Sequence, residues 1–323
     1  MKLTKQGHPL WINRCQNLLN AHDTKLTKCL MKIRGHCIFW AVEEEQPKWL
    51  LKADPMQLKG AMWRRLHDVL TRYKNRIRDW DVNNEMLHGS FYSDRMNETI
   101  RDWMYYEAHR IFPRGQMFVN EFEVLSAPWY TQSYVDQIRS FLKKGIPIDG
   151  IGVQGHFAGH AHPEILKERL DDLAVLGLPI WITELDVVAE NDVKRAEVLE
   201  KIIRVAYAHP SVQGIVLWTF WDKHEWKKNT SLFEGHFFKP NEAGRRYLRM
   251  RNEWKTDIID RQPDDVTSHD CVFRFRAFHG EHVIRIRLPD GSVLEQNVNI
   301  RNHPGELELV FNKQSPDIKD APD

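Results

Sequence analysis

Six stretches of the chain are short, apolar and closed off by Gly, Pro or polar residues. They are MKIRGHCIFW (31–40), RIRDWDVNNEM (76–86), GQMFVNEFEV (115–124), IDGIGVQGHF (148–157), PIWITELDVV (179–188) and VQGIVLWTFW (212–221). A strand buried on both faces reads this way. Helical patterns lie between them. Leu58, Met62, Leu66, Val69 and Tyr73 recur at helical spacing, as do Met96, Ile100, Met104 and Ile111. Tyr134, Ile138, Phe141 and Leu142 form a stripe ended by Gly145. Ile165, Leu166, Leu170, Leu173 and Leu176 form another, ended by Gly177. A glycine just past the last apolar position is a helix stop. Helical segments over 193–208 and 242–254 complete the series. Strand and helix in alternation predict βαβ crossovers and a parallel sheet, closed as a barrel or left open and doubly wound.

After Trp254 the period changes to two. Phe273, Phe275 and Ala277 alternate with arginines, as do Ile284, Ile286 and Leu288, and Pro-Asp-Gly at 289–291 is a turn signal. Four regions follow: 1–30, helical or irregular; 31–255, the α/β domain; 264–312, a small antiparallel β module; and 313–323, a polar tail.

Composition narrows the function classes. The chain has 323 residues, with 46 Lys and Arg against 45 Asp and Glu. This balance lacks the basic excess of a nucleic-acid binder. No apolar run approaches the roughly 20 residues of a membrane helix. The N-terminus has no apolar core of a signal peptide. Cys15, Cys29, Cys37 and Cys271 form no metal-ligand spacing or disulfide framework. Asn97 and Asn229 begin glycosylation sequons. The unusual count is 12 Trp, which supply either core volume or flat surfaces on which sugars stack.

Two carboxylates stand at the carboxyl ends of strand patterns, Glu85 in Trp80–Glu85 and Glu184 in Ile182–Asp186. Parallel α/β sheets place their sites at such ends. A carboxylate set among apolar strand residues is costly unless something uses it. Paired carboxylates a few Å apart are the machinery of glycoside hydrolysis. His156, at a third strand end, can donate to a neighbouring carboxylate and keep it ionised. His156, His160 and His162 form an incomplete metal set. Gly150-Ile-Gly-Val-Gln-Gly155 satisfies a dinucleotide fingerprint, but its glycines lie within a strand pattern and Asp171 lies on a helix, so the required context is missing.

Taken together and in order, these motifs resemble glycoside hydrolase family 10, the endo-β-1,4-xylanases. The set is Arg34-Gly-His36 with Phe39-Trp40; Gln46–Trp49; Trp80-Asp-Val-Asn-Asn-Glu85; Asn120-Glu-Phe122; Gly152-Val-Gln154-Gly-His156; Ile182-Thr-Glu184-Leu-Asp186; and Trp218 with Asp222-Lys223 and Trp226. The phrase from Gly35 to Leu50 is most similar to plant and animal members. The resemblance covers about residues 31–254. It implies a TIM-type (β/α) barrel, no cofactor or metal, a monomer, extracellular action and xylan or a related β-1,4-glycan as partner. It also implies a retaining mechanism, with Glu85 as general acid/base, Glu184 as nucleophile and carboxyl groups about 5 to 5.5 Å apart. Asn84, His36, Trp49, Asn120, Gln154, His156, Trp218 and Trp226 are the implied substrate-binding residues. The sequence departs from the family where six strand patterns stand for eight, where the Glu-Asn-x-x-Lys motif of the first strands is not visible, and where Ala41 replaces a His. A non-catalytic β-glycan binder on a shortened barrel and a β-1,4-glucanase are the alternative readings.

Overall fold

A computed structural model describes residues 33–254, 258–261, 273–275, 280–287, 290–300, 309–312 and 315–318. The expectation for residues 1–30 lies outside the described residues. The chain divides into two units, Met1–Tyr247 and Leu248–Asp323.

The first unit is a curled parallel sheet wrapped by helices. Its strands are β1 (Arg34–Gly35), β2 (Phe39–Trp40), β3 (Asp79–Asn84), β4 (Gln116–Glu121), β5 (Gly150–Val153), β6 (His156–Ala158), β7 (Ile180–Val188) and β8 (Val212–Leu217). β1 and β2 both run parallel to β3 and act as one interrupted stave; β5 and β6 do the same beside β7. The staves follow the order β1/β2, β3, β4, β5/β6, β7, β8, all parallel. These are the six expected staves, at nearly the expected positions. They form an incomplete TIM-type barrel, and β1 and β8 are its edges among the described residues. The sheet curls so far that the rings of His36 and Trp218, from opposite edges, lie 6.2 Å apart edge to face.

The helices are α1 (Pro55–Tyr73), α2 (Phe91–Arg95), α3 (Thr99–Ile111), α4 (Pro128–Lys143), α5 (Pro163–Ala174) and α6 (Asp192–Ala208). The long ones bury most of the predicted stripes: Leu58, Met62 and Leu66 on α1, where Leu70 is buried and the expected Val69 and Tyr73 are half-buried, and Tyr134, Ile138 and Phe141 on α4, joined by Val135 while Leu142 is half-buried. Asp54 opens α1 as a capping box with Gln57, and Pro55 occupies its first turn. The stripe expected to begin at Met96 is divided. α2 ends at Arg95, and Asn97 turns the chain before α3, its side chain accepting from the Thr99 N–H at 3.0 Å.

Three glycines face aromatic rings on the adjacent stave. A Cβ at Gly35, Gly150 or Gly214 would overlap the ring of Trp80, Phe118 or Trp181, each its register partner. Large rings beside missing side chains fill the interior at close packing. The Arg34 guanidinium lies 4.1 Å from the centroid of Phe118 and 5.1 Å from that of Trp181. Its charge is paired with Asp81 at 2.6 Å.

α7 (Glu242–Glu253) begins in the first unit and ends in the second. Late in the first unit β9 (Phe233–Glu234) pairs with β10 (Lys239–Pro240); in the second unit, β11 (Ile258–Arg261) pairs with β12 (Phe273–Phe275), β13 (Gly280–Arg287) with β14 (Val293–Ile300), and β15 (Leu309–Asn312) with β16 (Ser315–Ile318), all antiparallel. The β13–β14 hairpin turns through Asp290 and Gly291, where the sequence places a turn; Gly291 has φ +82°, which glycine adopts without strain. β11 precedes the expected start of the β module, and β16 lies in the segment read as a polar tail. Strand pairing is made by backbone groups and does not require apolar side chains. Among the described residues, no helix is long and apolar enough to cross a membrane.

Candidate active site

The carboxyl ends of the staves open into a cavity of about 2220 Å³ in the first unit, lined by both Glu85 and Glu184. Small-molecule pockets are typically about 300–1,000 Å³, so this space has the scale of a polymer cleft.

Glu85 follows β3 and is 8% exposed. Its φ is +63°, a left-handed conformation that costs a non-glycine residue and is held only where its surroundings require it. Here its N–H donates to the Asn120 carbonyl at 2.9 Å, and its carbonyl accepts from the Gly89 N–H at 2.8 Å. Its carboxyl accepts three hydrogen bonds: from Trp40 Nε1 (2.6 Å), Asn84 Nδ2 (2.9 Å) and Gln154 Nε2 (2.7 Å). Burial pushes its pKa up; the Trp40 and Gln154 donors oppose the shift without cancelling it.

Glu184, in β7, is 5% exposed. Two histidines face it from opposite sides: His36 Nε2 stands 3.8 Å from Oε1 and His156 Nε2 3.4 Å from Oε2. Each has an aspartate behind its other nitrogen, His36 with Asp81 (3.0 Å) and His156 with Asp186 (2.8 Å). Burial alone would lower both histidine pKa values. The hydrogen bonds and charges of the carboxylates outweigh it, so His36 is raised and His156 is pushed up to about 9. His156 is therefore a cationic donor near neutral pH, and His36 is shifted toward the same form.

A relay of amides joins the two carboxylates. Asn84 Nδ2 donates to Glu85, and Asn84 Oδ1 accepts from Asn120 Nδ2, which also reaches Glu184 Oε1 at 3.2 Å. Thr183 Oγ1 donates to Asn120 Oδ1 at 2.6 Å and fixes which way that amide faces. Gln154 adds a second tie, because its side chain donates to Glu85 and its backbone carbonyl accepts from the Glu184 N–H.

The structure thus brings Glu85, Glu184, Asn84, Asn120 and Gln154 into one hydrogen-bonded cluster, with His156 and His36 facing Glu184 beside it. Trp218 meets the His36 and His156 rings edge to face, each at 6.2 Å. Trp226 packs against His156 at 4.8 Å and donates its Nε1–H to Asp186 Oδ2. Trp49 stands apart from this cluster, on the cavity wall and 44% exposed. His160 and His162 lie exposed on the cavity lip, while His156 is turned to Glu184 and Asp186. Among the described residues, no group of three His, Cys, Asp or Glu is placed to hold a metal ion.

Sequence reasoning did not name Trp40, Asp81, Asp186, Thr183 or Glu121 as site residues. Asp186 was within reach, since it lies two residues after Glu184 and so on the same strand face. Glu121 is fully buried. It accepts from the Leu87 N–H (2.7 Å), the Phe122 N–H (3.1 Å) and His88 Nδ1 (2.8 Å), and so ties down the loop that follows Glu85.

The model of glycosyl hydrolase family 10 matches residues 21–246. The chain belongs to that family. An endo-1,4-beta-xylanase 3 of Arabidopsis thaliana is 39% identical over 282 residues, 84% of this chain and 36% of that protein. An anti-sigma-I factor, RsgI6, of Acetivibrio thermocellus is 38% identical over 282 residues, 87% of this chain and 36% of that protein. The chain thus spans about a third of the length of these curated relatives. Among solved structures, xylanase 10B of Thermotoga petrophila RKU-1 in complex with xylobiose superposes with a TM-score of 0.63 at 23% identity, over 69% of this chain and 74% of that one. This likeness concerns the fold. The GxGxxG stretch takes its place within that barrel: Gly150 and Gly152 lie in β5, and Gly155, with φ +88°, forms the break before β6.

Proposed function

We propose that the chain is an endo-acting retaining hydrolase of β-1,4-xylosidic bonds. The observation that carries this reading is the buried amide relay that ties Glu85 to Glu184 above one large cavity, in a chain of glycosyl hydrolase family 10. Glu184, faced by cationic His156 and by His36, is the anion that attacks the anomeric carbon. Glu85, its pKa raised by burial, gives its proton to the departing glycosidic oxygen. The glycosyl–Glu184 ester leaves one fewer negative charge in the site. Glu85, left as the carboxylate by that proton transfer, takes a proton from water, which attacks the same carbon and regenerates both groups. A separation of about 5 to 5.5 Å between the carboxyls belongs to this mechanism. His36, Asn84, Asn120, Gln154 and His156 hold the sugar nearest the cleaved bond, and Trp49, Trp218 and Trp226 supply ring surfaces beside it. No step calls for a cofactor. Action outside the cell, by a single chain, suits a polymer too large to cross a membrane.

A second reading is glycan recognition without cleavage. What favours it is the similarity to an anti-sigma-I factor, beside which the similarity to plant xylanases stands at equal strength. Reducing-end release from xylan and from carboxymethylcellulose separates the readings. Release from xylan, abolished in Glu184→Gln, is the expected result. Binding without release by the unmodified chain overturns the hydrolase reading in favour of recognition, and faster release from carboxymethylcellulose overturns the substrate assignment.

A further inference from the structure

The loop from Asp222 to Ser231, after β8, carries Trp226 into the cavity and is braced throughout. Asp222 Oδ1 accepts from the Gly235 N–H at 3.1 Å, and its other oxygen pairs with Lys223 at 3.2 Å. Glu225 accepts from the Thr230 N–H at 3.0 Å. Thr230, itself buried, donates its hydroxyl to the Lys227 carbonyl at 2.8 Å. Arg195, buried on α6, donates to the Asn229 carbonyl at 2.5 Å. Both carboxylates of the loop are therefore engaged elsewhere, and the Lys227 backbone is fixed.

Lys227 lines the cavity, and its ammonium stands 4.1 Å from the centroid of the Trp226 indole. Among the described residues it has no carboxylate partner. A lysine over an indole face gains cation–π attraction and still has N–H groups to donate. This one lies at the wall of a cleft, over a ring whose Nε1–H is committed to Asp186. The cavity wall is also electrically uneven. The turn after β2 contributes Glu43, Glu44 and Glu45 with Lys48, while the loop after β8 contributes Lys227 and His224. Among the described residues, only Glu43 of the three glutamates is paired with a cation, Arg95 at 3.0 Å. A glycan carrying a carboxylate is repelled by the first wall and attracted by the second.

We propose that Lys227 is a specificity residue that binds the carboxylate of a uronate substituent on the β-1,4-glycan, so that the cleft favours acidic over neutral chains. This rests on the hydrolase reading above and names the substrate class of the same site. A partly exposed ion pair of this kind is worth about a two- to fivefold preference at low salt, and screening reduces it as salt rises.

The test compares a uronate-bearing xylooligosaccharide with the unsubstituted oligosaccharide of equal length. Both kcat/KM and the calorimetric Kd are measured for the unmodified chain, Lys227→Met, Lys227→Gln and Lys227→Arg. The expected acid-to-neutral ratio in the unmodified chain is about two to five. It falls to about one in the Met and Gln variants, returns in Lys227→Arg and shrinks at high salt. Two neutral replacements guard against a folding fault peculiar to one. A ratio that survives loss of the charge, or an unmodified chain that binds both oligosaccharides equally, overturns the proposal. If neither oligosaccharide is cleaved, the hydrolase reading fails and the Kd ratio alone decides the role of Lys227.

Discussion

The pH dependence of replacing Asp186 by Asn isolates the charge that holds His156 against Glu184. Asp186 Oδ1 stands 2.8 Å from His156 Nδ1, and the imidazole is 20% exposed, so the pair is only partly screened. Burial would lower the histidine pKa, but Asp186 and Glu184 together push it up to about 9 from the ordinary 6.5. At about 1.4 kcal/mol per unit, this corresponds to roughly 3 kcal/mol of folding stability, shared by the two carboxylates. Asp186 is the closer partner and holds the larger share, about 2 kcal/mol. The sign follows from proton linkage. A group whose folded pKa is raised contributes its full stabilisation below the unfolded value of 6.5, and that contribution is lost as pH rises through about 9. Asn keeps one acceptor oxygen, so either Trp226 Nε1 or His156 Nδ1 then faces an amide nitrogen. That loss is common to all pH values, and the pH-dependent part reports the charge. Urea denaturation of the unmodified chain and Asp186→Asn at pH 6, 7.5 and 9.5 measures the effect. The stability gap is expected to be widest at pH 6 and to close by about 2 kcal/mol at pH 9.5. A gap that is the same at all three pH values would show that Asp186 acts through packing or neutral hydrogen bonding, and the account of His156 as a cation would fall.

Two further outcomes follow from the same geometry. Burial raises the Glu85 pKa while the Trp40 hydrogen bond opposes the rise, so Trp40→Phe should keep Glu85 protonated to higher pH. The basic limb of the kcat/KM profile on xylooligosaccharides then moves to higher pH, and a downward movement contradicts the role given to that donor. Glu121→Ala leaves the Leu87 and Phe122 N–H groups and His88 without their buried acceptor. The expected loss of stability is about 3 to 5 kcal/mol in a urea titration, and a loss below about 1 kcal/mol would mean that the loop after Glu85 is held by something else.

Both candidate catalytic carboxylates and six staves were legible because each is a local signal. An apolar run bounded by turn residues marks a buried strand wherever its neighbours lie, and an acid at its carboxyl end faces the mouth of a parallel sheet. What was not legible depends on how one strand sits against the next. Asp81 and Asn84 differ in parity, yet Asp81 meets Arg34 and His36 while Asn84 meets Glu85 and Asn120. The register between β3 and β4 shifts between these two residues, and the β7–β8 register shifts between Ile182 and Leu185, around Glu184. Such shifts occur where alternation would turn a needed side chain away from the site. They leave no mark in hydropathy, since every residue from Trp80 to Asn84 is buried.

The same reasoning explains why Trp40 was read as part of a motif and not as part of the site. Its partner is 45 residues away, and the contact exists only because β2 lies in register with the end of β3, Trp40 opposite Asn84. Register also decides the chemistry. With Trp40, Asn84 and Gln154 all donating to one carboxyl, Glu85 is stabilised as an anion to a degree that burial must exceed for it to carry a proton. With His36 and His156 both facing Glu184, the second carboxyl receives positive charge that the first does not. In the proposed mechanism two chemically identical side chains take opposite tasks because of neighbours that come from three different staves. The identity of the pair can be read along the chain, whereas the division of labour between them arises only when the sheet curls and brings those staves to one mouth.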